Sequence, residues 1–104
     1  YKEEIFGPVL ALRKAKNLDE ALSMVQSSEY ANATAIFTSD GGAARKYQTE
    51  SGVSMVGVNV GVAAPMAFFP FGGTKSSFFG DVKAHGDDSI RFFTDAKVVM
   101  SRWF

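Results

Sequence analysis

The hydrophobic positions of the chain fall into short blocks whose spacing changes between strand-like and helix-like periods. Residues 8–14 are apolar on both faces, which is typical of a strand buried between two layers. Residues 34–38 and 53–60 are rich in β-branched side chains and predict a second and a third strand. Two helical stretches separate these blocks, so the pattern predicts the order strand, helix, strand, helix, strand.

Polar residues and a glycine mark the ends of both helices. Asn17 is placed to cap the first helix, and Glu20 to reach back to it as in a capping box. Asp40 lies in a turn that can cap the second helix, residues 43–50, and Gly52 follows as its C-terminal stop. Connections of this length favour parallel strands. The predicted fold class is therefore α/β, with a three-strand parallel βαβαβ core.

Regular periodicity ends after the third predicted strand. Residues 61–80 contain two prolines and five phenylalanines. A loop of this length is usually functional or disordered, and this much apolar surface needs something to pack on. Asp87 and Asp88 are predicted to cap a short helix that ends at Thr94, and residues 96–103 alternate as a terminal strand.

Composition limits the classes of protein to which the chain can belong. Its 104 residues allow one domain with a small margin of buried surface, and 46 % hydrophobic residues disfavour a disordered segment. The 11 basic residues balance 11 acidic ones, which favours neither nucleic acid nor an anionic membrane as a partner. No apolar run approaches the roughly 20 residues of a membrane span. We expect a soluble, cytoplasmic protein, and the start at Tyr1 suggests a piece of a longer one.

Cysteine is absent and histidine occurs once. Disulfides and thiolate metal ligands are therefore excluded, and we predict no metal site. The glycines form neither a Gly-x-Gly-x-x-Gly fingerprint nor a Gly-Lys-Ser loop, so cofactor phosphates would have to be bound elsewhere.

Two motifs carry the candidate chemistry. The first, Glu3-Glu4-Ile5-Phe6-Gly7-Pro8, places two carboxylates beside an aromatic residue and a turn. The second, Pro70-Phe71-Gly72-Gly73-Thr74-Lys75, lies in the loop rich in phenylalanine. In this order the two motifs resemble the aldehyde dehydrogenase family, and the resemblance covers essentially the whole chain. It implies that the chain is the C-terminal part of the catalytic domain of a larger enzyme.

The resemblance implies roles for three residues. Glu4 would accept hydrogen bonds from the hydroxyls of the nicotinamide ribose of NAD, because a carboxylate is a strong acceptor. Phe6 would brace the nicotinamide ring, whose alignment governs hydride transfer, and Phe71 would line the substrate channel. The family's nucleophile is a cysteine, so no catalytic residue lies in this chain, and the chain alone is expected to be inactive.

The same residues also have purely structural interpretations. Glu3 and Glu4 can be a solvated acidic pair in front of a strand, with Phe6 in the core. Phe71 can be a packed turn residue, which does not exclude the channel role. Lys75 could bind an anion, but a lone lysine is usually a solvated surface charge, and that is the expectation for it.

Two further charged or ionisable residues are given no role in the chemistry. His85, the only imidazole, is expected to be structural or on the surface rather than a general base. Arg91 is expected to pair weakly with Asp87 on the surface.

The sequence after Ser77 departs from the usual family pattern, because Phe78-Phe79 stands where a glycine is common. With the segments that follow, this departure resembles the methylmalonate-semialdehyde dehydrogenase branch. The branch implies a semialdehyde substrate, NAD as oxidant and coenzyme A as acyl acceptor. It also implies a division into residues 1–94, part of the catalytic domain, and residues 95–104, a terminal strand through which the enzyme forms homo-oligomers.

Two other functions stay open on the sequence alone. One is a non-catalytic interaction module that associates through its terminal strand. The other is a stand-alone domain that binds a small ligand with the loop rich in phenylalanine.

Overall fold

The computed structural model describes residues 2–104, which form three helices and four short strands. In chain order these are α1 (Leu18–Gln26), β1 (Tyr30–Ala31), β2 (Ala33–Ile36), α2 (Gly41–Glu50), β3 (Met55–Val58), β4 (Thr74–Lys75) and α3 (Gly86–Phe93). No helix in this part of the chain is long and apolar enough to cross a membrane.

Strands β2 and β3 are parallel, as predicted, with α2 in the connection between them. Asn59 extends the pairing beyond the strand ends. Its backbone N–H donates to the carbonyl of Ile36 at 2.8 Å. Its side-chain amide accepts from the N–H of Thr38 at 2.8 Å and donates to the carbonyl of the same residue at 3.0 Å. The side chain thus takes the place of a further pair of backbone hydrogen bonds between the two strands.

The predicted three-strand parallel core is not confirmed, because the parallel sheet has two strands. Residues 8–14, predicted as the first strand, are exposed and form no strand. A strand that is apolar on both faces needs cover on both sides and a partner for its backbone groups. None of the strands in the described part of the chain forms a β-ladder with this segment. The predicted terminal strand, residues 96–103, is exposed and also forms no ladder within residues 2–104.

A second, antiparallel pair joins β1 to β4, with Tyr30 opposite Lys75 and Ala31 opposite Thr74. The sequence pattern did not predict this pair, because two-residue strands have no measurable periodicity. This pair brings residues 74–75, within the loop rich in phenylalanine, beside the connection between α1 and β2.

The predicted helix caps are confirmed. Asn17 Oδ1 accepts from the N–H of Glu20 at 3.0 Å, and Asp40 Oδ1 accepts from the N–H of Gly42 at 2.7 Å. The carboxylate of Glu20 accepts from the N–H of Lys16 at 2.6 Å rather than from Asn17, so the capping box closes one residue earlier than predicted.

The third helix differs in detail from the prediction. It begins at Gly86, which precedes the predicted caps Asp87 and Asp88. Both carboxylates lie in its first turn, where their negative charge interacts favourably with the positive end of the helix dipole. Arg91 lies 4.0 Å from Asp88, so the predicted pairing with Asp87 is wrong.

Helices α1 and α2 pack together through a small buried core that includes Leu22 and Tyr47. The hydroxyls of Tyr47 and Thr34 are 2.5 Å apart and tie α2 to β2. On the surface, Lys46 Nζ donates to Asp19 Oδ1 at 2.5 Å. This hydrogen bond and the charge of Asp19 raise the pKa of Lys46.

The raised pKa of Lys46 has a defined consequence for pH dependence. The contact with Asp19 favours the protonated amine in the folded chain. Its stabilising contribution is therefore fully present below the ordinary pKa of 10.5 and is lost as the pH rises through the higher folded-state value.

Much of the apolar surface of the chain is uncovered. The radius of gyration is 18.5 Å, whereas a compact domain of this length has a value of about 13 Å. Phe79, Met100 and Trp103 are more than nine-tenths exposed. Apolar surface of this extent on a soluble domain usually marks a surface that contacts other protein.

Candidate functional site

Glu4 lines a polar cavity of about 520 Å³. Its other lining residues are Ser28, Tyr30, Asn32, Ala33, Ser76 and Ser77. The carboxylate of Glu4 has no hydrogen-bond or ion-pair partner among residues 2–104. It is therefore a free acceptor at the wall of a cavity whose other polar groups are hydroxyls and an amide, a set suited to a ligand that carries hydroxyl groups.

The other residues of the first motif lie differently. Glu3 is exposed and does not line this cavity. Phe6 is 94 % exposed, so its placement in the core of this chain is excluded. Neither Phe6 nor Phe71 lines the cavity of Glu4, so the described chain does not bring the three predicted residues together.

Hydrogen bonds distant in sequence hold the cavity wall formed by Ser76 and Ser77. Ser77 Oγ accepts from the backbone N–H of Ala31 at 3.0 Å, and Thr74 Oγ1 donates to the carbonyl of Ala31 at 3.2 Å. The N–H of Ser76 donates to the carbonyl of Glu29 at 3.1 Å. The sequence interpretation assigned no role to these residues, because the bonds join positions more than 40 residues apart.

Lys75 is exposed on the surface, as expected, but its ammonium group is bonded to other residues of the chain. Its Nζ donates to the carbonyls of Gln26 at 2.7 Å and Ser28 at 2.9 Å. Gln26 is the last residue of α1. A cation at this position donates to carbonyls that the helix leaves without a partner, and it interacts favourably with the negative end of the helix dipole. Lys75 therefore fastens the loop that follows Phe71 to the end of α1.

Phe71 is held at the start of a loop closed by a single antiparallel bridge to Ala84. The N–H of Phe71 donates to the carbonyl of Ala84 at 2.7 Å, and the reverse bond measures 3.0 Å. The ring of Phe71 lies 5.6 Å from the ring of His85, between centroids. The side chain of Phe71 remains 37 % exposed, which leaves part of the ring available to a ligand or to other protein.

Glycine is needed at positions 72 and 73 because neighbouring atoms leave no room for a Cβ, and not because of the backbone dihedral angles. A Cβ on Gly72 would lie 2.8 Å from Lys83 Cδ and 2.9 Å from Phe78 Cε2. A Cβ on Gly73 would lie 2.8 Å from Ser77 Cβ. Neither glycine has a positive φ. The absence of a Cβ at these two positions lets the backbone lie close to Lys83, Phe78 and Ser77.

The sequence model of the aldehyde dehydrogenase family matches residues 1–99. The chain belongs to the aldehyde dehydrogenase family.

Several relatives within the family are malonate-semialdehyde dehydrogenases. The chain is 50 % identical over 103 residues to malonate-semialdehyde dehydrogenase 2 of Geobacillus kaustophilus and 50 % identical over 103 residues to malonate-semialdehyde dehydrogenase of Pseudomonas aeruginosa. Each alignment covers 99 % of the chain and 21 % of the relative. The chain thus spans about a fifth of the length of the curated relatives it matches.

Solved structures agree with this. A Sinorhizobium meliloti protein assigned as a methylmalonate-semialdehyde dehydrogenase, complexed with NAD, matches with a TM-score of 0.93 and 52 % identity. Methylmalonate-semialdehyde dehydrogenase of Oceanimonas doudoroffii matches with a TM-score of 0.93 and 46 % identity. Each match covers 99 % of this chain and 21 % of the other. The described chain therefore has the fold of the corresponding part of these family members.

A second cavity, of about 540 Å³, is mostly aromatic. Its lining residues are Ser77, Phe78, Phe79, Ala84, His85, Ser89, Phe92 and Phe93. It includes Phe78 and Phe79, the two residues that follow Ser77.

No group of three or more metal-ligating side chains occurs among residues 2–104.

We expect Gly73→Ala to weaken the loop locally. The new Cβ would lie 3.1 Å from the backbone oxygen of Ser77 as well as against its Cβ, so the backbone must shift. Such overpacking costs about 1–3 kcal/mol. Amide hydrogen exchange of the loop in the complete polypeptide measures the local opening free energy.

Gly41→Ala is the matched control for this substitution. A Cβ on Gly41 meets no atom within 4 Å, and the residue opens α2. Alanine there should leave the stability unchanged or raise it by up to about 1 kcal/mol. If both variants exchange at the wild-type rate, the close approach at Gly73 is not a constraint on the loop.

Proposed function

We propose that the chain is the C-terminal part of an NAD-dependent aldehyde dehydrogenase that oxidises malonate or methylmalonate semialdehyde and passes the acyl group to coenzyme A. Residues 1–94 belong to the catalytic domain, and residues 95–104 are a terminal strand that joins subunits. The remainder of the enzyme supplies the cysteine nucleophile and the sites for the cofactor phosphates, since the chain has no cysteine and no phosphate loop.

The observation that carries the proposal is the unpartnered carboxylate of Glu4 at the wall of a polar cavity, in a chain of this family. A ribose offers two neighbouring hydroxyl donors, and a carboxylate offers two acceptor oxygens. NAD, when bound, supplies the acceptor for the hydride. Glu4 fixes the sugar, and the sugar in turn limits the position of the ring.

Phe6 and Phe71 are the other two residues of the proposed site. Phe6 presents an aromatic face that no described side chain covers, suited to bracing the nicotinamide ring once the remainder of the enzyme surrounds it. Phe71 lines the channel through which the aldehyde enters. We assign no residue of this chain to coenzyme A, whose role is inferred from the resemblance to the methylmalonate-semialdehyde dehydrogenase branch.

The direct test is NADH formation by the complete polypeptide with malonate or methylmalonate semialdehyde, with and without coenzyme A. Detection of an acyl-coenzyme A product supports the full proposal. Oxidation with release of a free acid would retain the dehydrogenase and remove coenzyme A as the acceptor. If NAD neither protects the complete polypeptide against thermal unfolding nor is reduced by it, an interaction module becomes the better explanation.

We expect the terminal residues to drive self-association of the 104-residue chain. Residues 96–104 are exposed and carry unpaired backbone groups, and Met100 and Trp103 are more than nine-tenths exposed. Edges of this kind pair with other chains. Sedimentation should show a molecular mass that rises with concentration.

Met100→Pro and Met100→Ser separate the two causes of association. Proline removes the backbone donor and blocks strand pairing, whereas serine removes only the apolar side chain. We expect proline to reduce association more than serine does. A wild-type chain that stays monomeric at high concentration would contradict the proposed role of residues 95–104.

A further inference from the structure

The loop that begins at Phe71 is closed by very few backbone bonds. The bridge between Phe71 and Ala84 is isolated, with no ladder on either side of it. A single bridge fixes the distance between two strands of backbone but leaves them free to twist about each other. The backbone bond from the N–H of Gly86 to the carbonyl of Ala67, at 3.2 Å, lies beside this bridge, and the ring of His85 lies 5.6 Å from that of Phe71 between centroids. The remaining control over the direction of the Phe71 side chain comes from contacts made inside the loop.

Lys83 makes several contacts across this loop. Its Nζ donates to the carbonyl of Gly73 and lies 4.5 Å from the ring centroid of Phe78. Its methylene chain passes so close to Gly72 that a Cβ there would lie 2.8 Å from Cδ. The backbone N–H of Lys83 donates to Asp88 Oδ2 at 3.3 Å. The residue is thus fixed at both its backbone and its ammonium group.

These contacts are of kinds that carry more energy than an exposed neutral hydrogen bond. The ammonium of Lys83 makes a charge-assisted bond and a cation–π contact at a partly buried position. The ring of Phe78 supplies the aromatic face on which this ammonium lies. The same two residues enclose Gly72.

We infer that Lys83 is a positioning residue for substrate recognition: with Phe78 it clamps the backbone of Gly72 and Gly73, and so sets the direction of Phe71. The inference rests on the proposed function, in which Phe71 lines the aldehyde channel. Lys83 itself touches neither the cofactor nor the aldehyde. Its effect passes through the backbone of two residues.

The experiment compares variants of the complete enzyme. Lys83→Met keeps the methylene chain and removes the donor, and Lys83→Arg keeps a cation that can bond Gly73 and stack on Phe78. For Lys83→Met we expect a roughly tenfold rise in KM for the semialdehyde, the scale of one lost charge-assisted bond. KM for NAD should not change, and Lys83→Arg should restore most of the loss. Lys14→Met, at an exposed residue outside the loop, is the control.

A second readout does not depend on activity. Amide hydrogen exchange at Phe71 and Ala84, the two residues of the bridge, should be faster in Lys83→Met than in the wild type and near wild-type in Lys83→Arg. Unchanged exchange in a folded Lys83→Met variant overturns the inference. Equal losses for the semialdehyde and for NAD also overturn it, since they would indicate a general defect of the fold.

Two additional variants keep the test decisive. Phe71→Ala separates the inference from the proposed function: if it changes KM for the semialdehyde while Lys83→Met does not, the inference fails and the proposed function stands. If Phe71→Ala has no effect, the channel role of Phe71 fails first. Should Lys83→Met not fold, Phe78→Leu removes the ring alone, and wild-type exchange at the bridge in that variant would contradict the clamp.

Discussion

The 104-residue chain by itself is expected to oxidise no aldehyde. The resemblance to the aldehyde dehydrogenases implies a thiol that adds to the aldehyde carbonyl, and the thiohemiacetal so formed gives up hydride to NAD. The chain has no cysteine. The proposed roles of Glu4 and Phe71 are to bind and orient the cofactor and the aldehyde, and neither side chain can form that adduct. The expected loss is therefore complete, and no change of substrate or pH should restore turnover.

The measurement is NADH formation at high concentrations of the purified chain and of malonate semialdehyde. Small thiols must be left out of the buffer, because they can react with the aldehyde themselves. The complete polypeptide provides the positive control, and heat-denatured chain gives the background. Turnover above that background would contradict the proposed function, since some group in this chain would then be acting as a nucleophile.

Local signals in the sequence predicted local structure well. Asn17 and Asp40 were identified as helix caps from residue type and position alone, and both accept the predicted kind of backbone hydrogen bond. The parallel pairing of β2 with β3 followed from the length of their connection. In each case the interacting residues are either close in sequence or joined by one regular helix.

Features that depend on distant residues were not predictable in the same way. Residues 8–14 have the pattern of a buried strand, but a pattern reports which surfaces need cover and not what covers them. The pair β1–β4 depends on Ser77 and Lys75, whose bonds reach back more than 40 residues. An isolated lysine in a loop gives no signal that it will cap a helix so far away.

Sequence reasoning singled out one of the residues that line the polar cavity. The motif indicated Glu4 rather than Glu3, and Glu4 is the one that lines the polar cavity. Ser76 and Ser77 were not identified, because a serine in a loop is too common to carry a signal. The roles of Glu4, Phe6 and Phe71 remain predictions, and the first of them has the sharpest test.

In the complete enzyme, Glu4→Gln is expected to slow hydride transfer more than it weakens the binding of NAD. Glutamine has nearly the same shape and keeps one acceptor oxygen, but it loses the charge and the second acceptor. The ribose would still be held, though less firmly. The loss of a charge-assisted hydrogen bond costs roughly 1.5–3 kcal/mol.

The division of that cost between binding and rate decides what is observed. Part of the lost free energy matters only when the nicotinamide ring must be aligned for hydride transfer. That part lowers the rate constant, by about tenfold per 1.4 kcal/mol. We therefore expect single-turnover NADH formation, at saturating NAD, to slow by about tenfold or more. The dissociation constant of NAD should change less, because the remainder of the enzyme holds the phosphates and the adenosine.

Glu3→Gln is the matched control for this prediction. Glu3 carries the same charge next to Glu4, is exposed and does not line the polar cavity. It should leave both the rate and NAD binding unchanged, which separates the removal of one negative charge from the loss of a specific acceptor. If Glu4→Gln behaves like Glu3→Gln, the two residues are a solvated acidic pair, and Glu4 has no part in binding the ribose.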